Sequence, residues 1–125
     1  MSTVTCVRFN ACGHQWALEA HHVRRIDSAA MLARYVSFET LMCRGPGHSS
    51  RWLTLIDRQG PWQLGLPGDS ELVPLQVADL HPLPPLLAAR TSYPALCGVA
   101  LEGASMTLLL EGGRLGLPVD SDSVD

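Results

Sequence analysis

Thr5-Cys6-Val7-Arg8-Phe9-Asn10 runs into Ala11-Cys12-Gly13-His14 and continues as Gln15-Trp16-Ala17-Leu18-Glu19-Ala20. Thr5, Val7 and Phe9 alternate with Cys6, Arg8 and Asn10, the period of two that gives a strand one inward face. Gly13 can adopt the positive φ of a tight turn, so residues 11–14 read as the bend of a hairpin and 15–20 as its return. The same rhythm extends outward. Val23–Ile26 reads as a further strand, Ser28–Tyr35 as the one stretch with helix propensity, Tyr35–Leu41 as a short strand and Arg44–Ser50 as a loop. Arg51–Asp57 sets Trp52, Thr54 and Ile56 against Leu53, Leu55 and Asp57. Gln59-Gly60-Pro61 turns the chain into Trp62–Leu66, Pro67-Gly68-Asp69 breaks that strand, and Leu72–Val77 starts another. Asp79–Ala88 holds Pro82, Pro84 and Pro85, which exclude a central strand and predict an extended apolar connector. Ala95–Leu101 and Met106–Leu110 flank the turn Glu102-Gly103-Ala104 as a last hairpin, closed by Glu111-Gly112-Gly113. Short strands with frequent turns predict an all-β barrel or sandwich rather than a parallel α/β sheet.

Composition agrees with one folded unit. The 125 residues are 46% hydrophobic and 17% charged, which excludes a disordered chain. A chain of this size buries about two-thirds of its unfolded surface. The net charge is −3 and every basic side chain is arginine, so there is no basic footprint for nucleic acid. No apolar run approaches the roughly 20 residues that span a bilayer, and Met1-Ser2-Thr3-Val4 lacks the features of an export signal. The expected location is therefore the cytoplasm, without direct membrane insertion. Cys6, Cys12, Cys43 and Cys97 are then expected as reduced thiols.

Catalytic patterns are missing: there is no GxSxG, no HExxH and no phosphate-cradling glycine loop before a helix. Cys6, Cys12 and His14, followed by His21-His22, are the residues a metal-dependent enzyme would use, but paired-ligand spacing is absent. His21 and His22, read as strand neighbours, would point to opposite faces and could not share a substrate. Trp62, after its turn, is either an exposed anchor for a peptide or a core filler beside Trp52 and Leu64, with core packing favoured. No catalytic residue, metal site or cofactor is expected.

The residues carry a family resemblance along nearly the whole chain. Thr5–Phe9, Gly13–Leu18 and Val23–Ile26 resemble the opening strands of CheW-like chemotaxis coupling domains. Trp52–Ile56, Gly60, Leu64–Leu66 and Asp69 resemble the middle hairpin of that family. His81–Leu87 resembles its proline connector, and Cys97–Gly103 with Leu108–Leu110 and Leu115 its closing hairpin. The resemblance implies a CheW-like domain over residues 1–119, with two small SH3-like β-barrels around a shared core, and residues 120–125 as a disordered acidic tail. Between Ile26 and Tyr35 the family carries about twenty more residues, including an Asn-Leu-Arg-Gly segment, where this chain has only Asp27–Arg34; the second barrel is therefore expected to be reduced. Arg25 also stands where the family often has Glu.

By the same resemblance the chain is a non-enzymatic adaptor. Its implied partners are a methyl-accepting chemoreceptor cytoplasmic domain and a CheA-like histidine kinase, the latter contact weakened by the missing segment. The alternatives are an accessory or competitor that binds receptor but not kinase and, more remotely, a metal-dependent enzyme. An uncovered strand edge would favour a homodimer. The implied partner-binding groove between barrels is placed at Ala20, Val23 and Arg25 facing Leu64, Leu66 and Val73, with barrel core as the competing reading for Leu64 and Leu66.

Overall fold

The computed structural model describes residues 2–43, 47–68, 70–82, 95–112 and 115. Strands β1 (Thr3–Ala11) and β2 (His14–Glu19) form the opening hairpin. Its turn is made by Cys12 and Gly13, at φ 57° and 78°. Two successive positive φ values give the twist that matches an antiparallel hairpin. Chain order then runs through a 3-10 turn (Ala20–His22), β3 (Arg25–Asp27), β4 (Tyr35–Ser37), helix α1 (Phe38–Cys43), β5 (Arg51–Asp57) and β6 (Gly60–Leu66). It ends with β7 (Glu71–Gln76), a second 3-10 turn (Val77–Asp79), β8 (Leu80–Pro82), β9 (Leu96–Glu102) and β10 (Ser105–Leu110).

The strands form two sheets, one of six strands in the order β7-β1-β2-β10-β9-β8 and one of four in the order β3-β5-β6-β4. The first sheet is apolar on both faces. Val7, Phe9 and Ala11 of β1 and Trp16 and Leu18 of β2 meet Leu53 and Leu55 of β5, Trp62, Leu64 and Leu66 of β6, and Phe38 and Met42 of α1 in a core shared between the sheets. Phe38 sets its ring edge-on to Phe9, with centroids 4.8 Å apart, and packs at 5.1 Å against Trp16. Such aromatic pairs add about 0.5–1.5 kcal/mol each beyond the area they bury. On the other face Cys6, Ala17, Leu75 and Ala100 pack with Val4, Val73, Leu80 and Leu109. Every strand of the six contributes, including β7 and β8 at opposite edges, so the sheet must curl on itself. Small residues permit that curl: a Cβ at Gly98 would overlap the carbonyl oxygen of His81 in β8. Arg8 lies on this inner face and spans the end of the barrel, bonding Glu71 of β7 at 3.0 Å and Glu102 of β9 at 3.4 Å.

Several expectations change. Residues 28–35 form no helix; the segment lies against the four-stranded sheet, and the helix sits after β4 instead, where a strand was expected. The reason is Gln63. Its side chain is fully buried, and its Oε1 accepts from the backbone N–H groups of both Met31 and Leu32, the latter at 2.9 Å. Its Nε2 donates to Asp27 and Thr54, and its backbone N–H donates to the carbonyl of Arg34. Arg34 in turn bonds Asp57 at 2.6 Å. A short, irregular connection thus has part of its polar backbone satisfied by one side chain. Pro82 does enter a strand, β8, but at the edge of its sheet, the position that tolerates proline. Trp62 is core, with no exposed surface. The thiol expectation fails at Cys12, which is disulfide-bonded, whereas Cys6 and Cys97 are reduced thiols. The rest of the proline connector, residues 83–88, and the 120–125 tail lie outside the described residues.

Two predictions follow from this packing. Replacing Gln63 by Leu strips the 28–34 segment of its acceptor and should lower stability by about 2 kcal/mol in urea unfolding, as expected for backbone donors left unpaired. Burial, assisted by the Glu19 carboxylate, pushes the Cys6 thiol from 9.0 up to about 11. The folded state therefore holds this proton more tightly than the unfolded chain. Its stabilising effect is complete below pH 9 and is lost as the pH rises from 9.0 to about 11. Iodoacetamide at pH 8 should label exposed Cys97 and leave Cys6 unmodified until the protein unfolds.

Candidate functional site: a groove between the sheets

Where the shared core reaches the edges of β3 and β7 it opens to solvent. Ile26 pairs with Leu53 across β3 and β5, and Leu72 pairs with Val7 across β7 and β1. Directly opposed residues in a ladder share a face, so Ile26 and Leu72 extend the core faces of their two sheets outward. Neither is covered: Ile26 is 45% exposed and Leu72 61%. Between them lies an open cavity of about 240 Å³, with Val7 and Leu53 as floor and Arg51, Ser70 and Glu71 on its rim. A second hollow, lined by Asp27, Ser28, Ser50 and Gly68, continues it past Ile26 and Arg51. Enclosed small-molecule pockets run to roughly 300–1,000 Å³ and bury most of their ligand. A shallow apolar slot with charged rims suits side chains presented by another protein.

The structure places the sequence-predicted groove residues as follows. Leu64 and Leu66 are a correction: both have 0% exposure and belong to the shared core, so they have no surface to offer a partner. Val23 is half-buried against the same core, and Ala20 lies half-buried in the first 3-10 turn. Val73 packs on the second core, inside the curled sheet. Arg25 is exposed but faces away from the slot, donating from Nε to Asp27 at 2.9 Å. Arg25 and Val73 lie on the strands that border the slot, with their side chains on the opposite faces. Their neighbours Ile26 and Leu72 face the groove, because one step along a strand reverses the side-chain direction.

Cys6 and His14 do not join the histidine pair in a ligand set; among the described residues the group of potential metal donors is Glu19, His21 and His22. The reading of His21 and His22 as strand neighbours is also overturned. They end a 3-10 turn, with ring centroids 4.0 Å apart.

No protein-family model matches the sequence, and no match is found among curated proteins. Among solved structures, the chain is similar to the scaffolding protein TtCheW from Thermoanaerobacter tengcongensis. The TM-score is 0.69, over 94% of this chain and 100% of that one, at 13% identity. The fold is CheW-like. At that identity the likeness is one of architecture. Among the described residues no helix is long and apolar enough to cross a membrane.

The division between groove wall and core can be tested directly. Ile26→Asp and Leu72→Asp should each change stability by less than about 0.5–1 kcal/mol, since both side chains already meet water. Leu64→Ala and Leu66→Ala should each cost about 2–5 kcal/mol by opening a cavity in the core. Urea unfolding of the four variants reads the difference.

Proposed function

We propose that this chain is a non-enzymatic adaptor of a cytoplasmic chemosensory array, which binds the helical cytoplasmic tip of a methyl-accepting chemoreceptor in the groove between its sheets. The observation that carries the reading is the pair of uncovered apolar walls, Ile26 and Leu72, over the open end of the shared core. An amphipathic helix docks in such a slot through apolar residues spaced three or four apart, with charges on the rim fixing its direction. Arg51 and Glu71 supply rim charges of both signs. The CheW-like fold, seen in a protein described as a scaffold, supports the choice of partner.

A second reading is favoured by one observation, the short connection from Asp27 to Arg34 held down by Gln63. A chain lacking the longer segment there would keep the receptor contact and lose that to a CheA-like kinase, acting as an accessory or a competitor. The shortened CheW-like protein of the myxobacterial Frizzy system is the finer likeness, and the short connection together with the lysine-free composition is its support. A homodimer through the four-stranded sheet is the less favoured assembly. Its edges, β3 and β4, have three residues each and offer a second copy few backbone bonds.

Calorimetric titration against a receptor cytoplasmic tip and against the regulatory domain of the kinase, both from the same organism, tests these readings. Receptor binding should weaken at least tenfold in Ile26→Asp and Leu72→Asp, and much less in Arg25→Glu. Binding to receptor alone supports the accessory reading, and binding to both supports full coupling. Silence from both partners overturns the proposal.

A further inference from the structure

The cluster at the end of β2 has no part in the groove, and its geometry points to a separate site. We propose that Glu19, His21 and His22 bind a divalent transition-metal ion, Zn²⁺ or Cu²⁺, with Glu111 beside it. Glu19 is the last residue of β2, and the chain then tightens into the 3-10 turn closed by the Val23 N–H to the Ala20 carbonyl at 3.0 Å. This tightening removes the strand alternation that would have sent the two imidazoles apart. One donor atom from each of Glu19, His21 and His22 lies within 4.8 Å of the others. The Glu19 carboxylate is 2.7 Å from Nδ1 of His21, and Glu111 is 3.3 Å from Nε2 of His22.

Two features make this more than a chance meeting of polar side chains. The donor set is two imidazoles with one carboxylate, and a second carboxylate adjoins it; this is the mixture that borderline ions such as Zn²⁺ and Cu²⁺ prefer over the all-oxygen sets of Mg²⁺ or Ca²⁺. His22 is also held in place: it is largely shielded, and its ring lies so close over Gly112 that a Cβ there would overlap it. A metal bond of about 2.1 Å to each donor sets tetrahedral ligands roughly 3.4 Å apart. His21 and Glu19 are exposed enough to close that distance by side-chain rotation alone. His21 with Glu19 and His22 with Glu111 otherwise form two separate imidazole–carboxylate contacts, and the experiment must distinguish a metal site from these.

Three ligands leave a coordination position open to water or to a donor from another molecule. The ion would also fix the chain where it crosses to the other sheet, since His22 lies two residues before Arg24, whose N–H bonds the Thr54 carbonyl at 2.8 Å.

Tag-free full-length protein, stripped with a chelator and desalted, is titrated with Zn²⁺ and then with Cu²⁺ by calorimetry, with thermal unfolding measured in parallel. The proposal expects one ion per chain at micromolar or tighter affinity, and a higher unfolding midpoint with metal. His21→Ala and Glu19→Gln should each weaken binding at least tenfold; both side chains are exposed, so these variants should fold. His22→Ala should do the same if its circular dichroism is unchanged. Cys97→Ser and His14→Ala should leave binding intact, and Co²⁺ substitution should give no thiolate charge-transfer band. Absence of stoichiometric binding overturns the proposal. So does binding that survives His21→Ala and Glu19→Gln, or that is lost in Cys97→Ser.

Discussion

A β-hairpin that is apolar on both faces governs this molecule. Consecutive residues Cys6 and Val7 of β1 are both buried, as are Trp16, Ala17 and Leu18 of β2. Since successive side chains point to opposite sides of a strand, no single layer can cover such a hairpin. The chain answers with different sizes of side chain on each face. Large ones, Phe9, Trp16 and Leu18, meet a second sheet and a helix; small ones, Cys6 and Ala17, line a sheet curled tightly on itself. Two barrels around a shared core are the consequence of that one demand. Even the unpartnered indole N–H of buried Trp62 fits it, for the ring is held there by its volume rather than by a hydrogen bond.

The groove arises from the same arrangement. A core held between two twisted sheets must come to an end somewhere, and here it ends between β3 and β7, with Val7 and Leu53 the last fully covered pair. Ile26 and Leu72 continue the two apolar faces past that point, leaving surface that another protein can complete. The short connection between β3 and β4 bears on this edge as well. β3 is short, and Asp27 at its end is engaged by Gln63 and Arg25. The wall that carries Ile26 thus adjoins the same Gln63 that holds the 28–34 segment in place.

Much of the fold was legible in the sequence, because alternation and turn residues report local facts. The 51–57 strand and the two strands of the opening hairpin, though not where each one ends, follow from spacing and from Gly13. What could not be read were places where a distant residue decides. Ser-Ala-Ala-Met-Leu-Ala-Arg at 28–34 has the propensity for a helix, but Gln63, about thirty residues on, captures its N–H groups and keeps it irregular. The helix at Phe38 does have a local start signal, missed in the sequence: Ser37, whose Oγ accepts from the Thr40 N–H at 3.1 Å; the packing of the Phe38 ring on Phe9 and Trp16 is a distant fact. From the sequence a groove was placed at Arg25 and Val73, whereas the open slot between the sheets is lined by their neighbours Ile26 and Leu72. A one-residue difference in phase does little to a strand prediction and reverses which side chains face the slot. The histidine pair failed for a related reason, since nothing in Glu19–His22 announces that the strand tightens into a turn before the second imidazole.

The chain order of the larger sheet also constrains how the protein comes to be folded. β2 lies beside β10, and the two run parallel, Trp16 against Leu108 and Leu18 against Leu110. All four strands of the smaller sheet are threaded between β2 and β7 in the chain, so that sheet is an insertion within the larger one. On a ribosome the opening hairpin emerges first yet must wait for β10 to finish its inner side, while the smaller sheet has all its strands much earlier. Pairings between such distant segments form slowly, because the loop entropy is lost before the contacts are gained. During that interval the free edge of β2 can pair wrongly, and synthesis rate and chaperone access, rather than the stability of the finished fold, would set the yield of native protein.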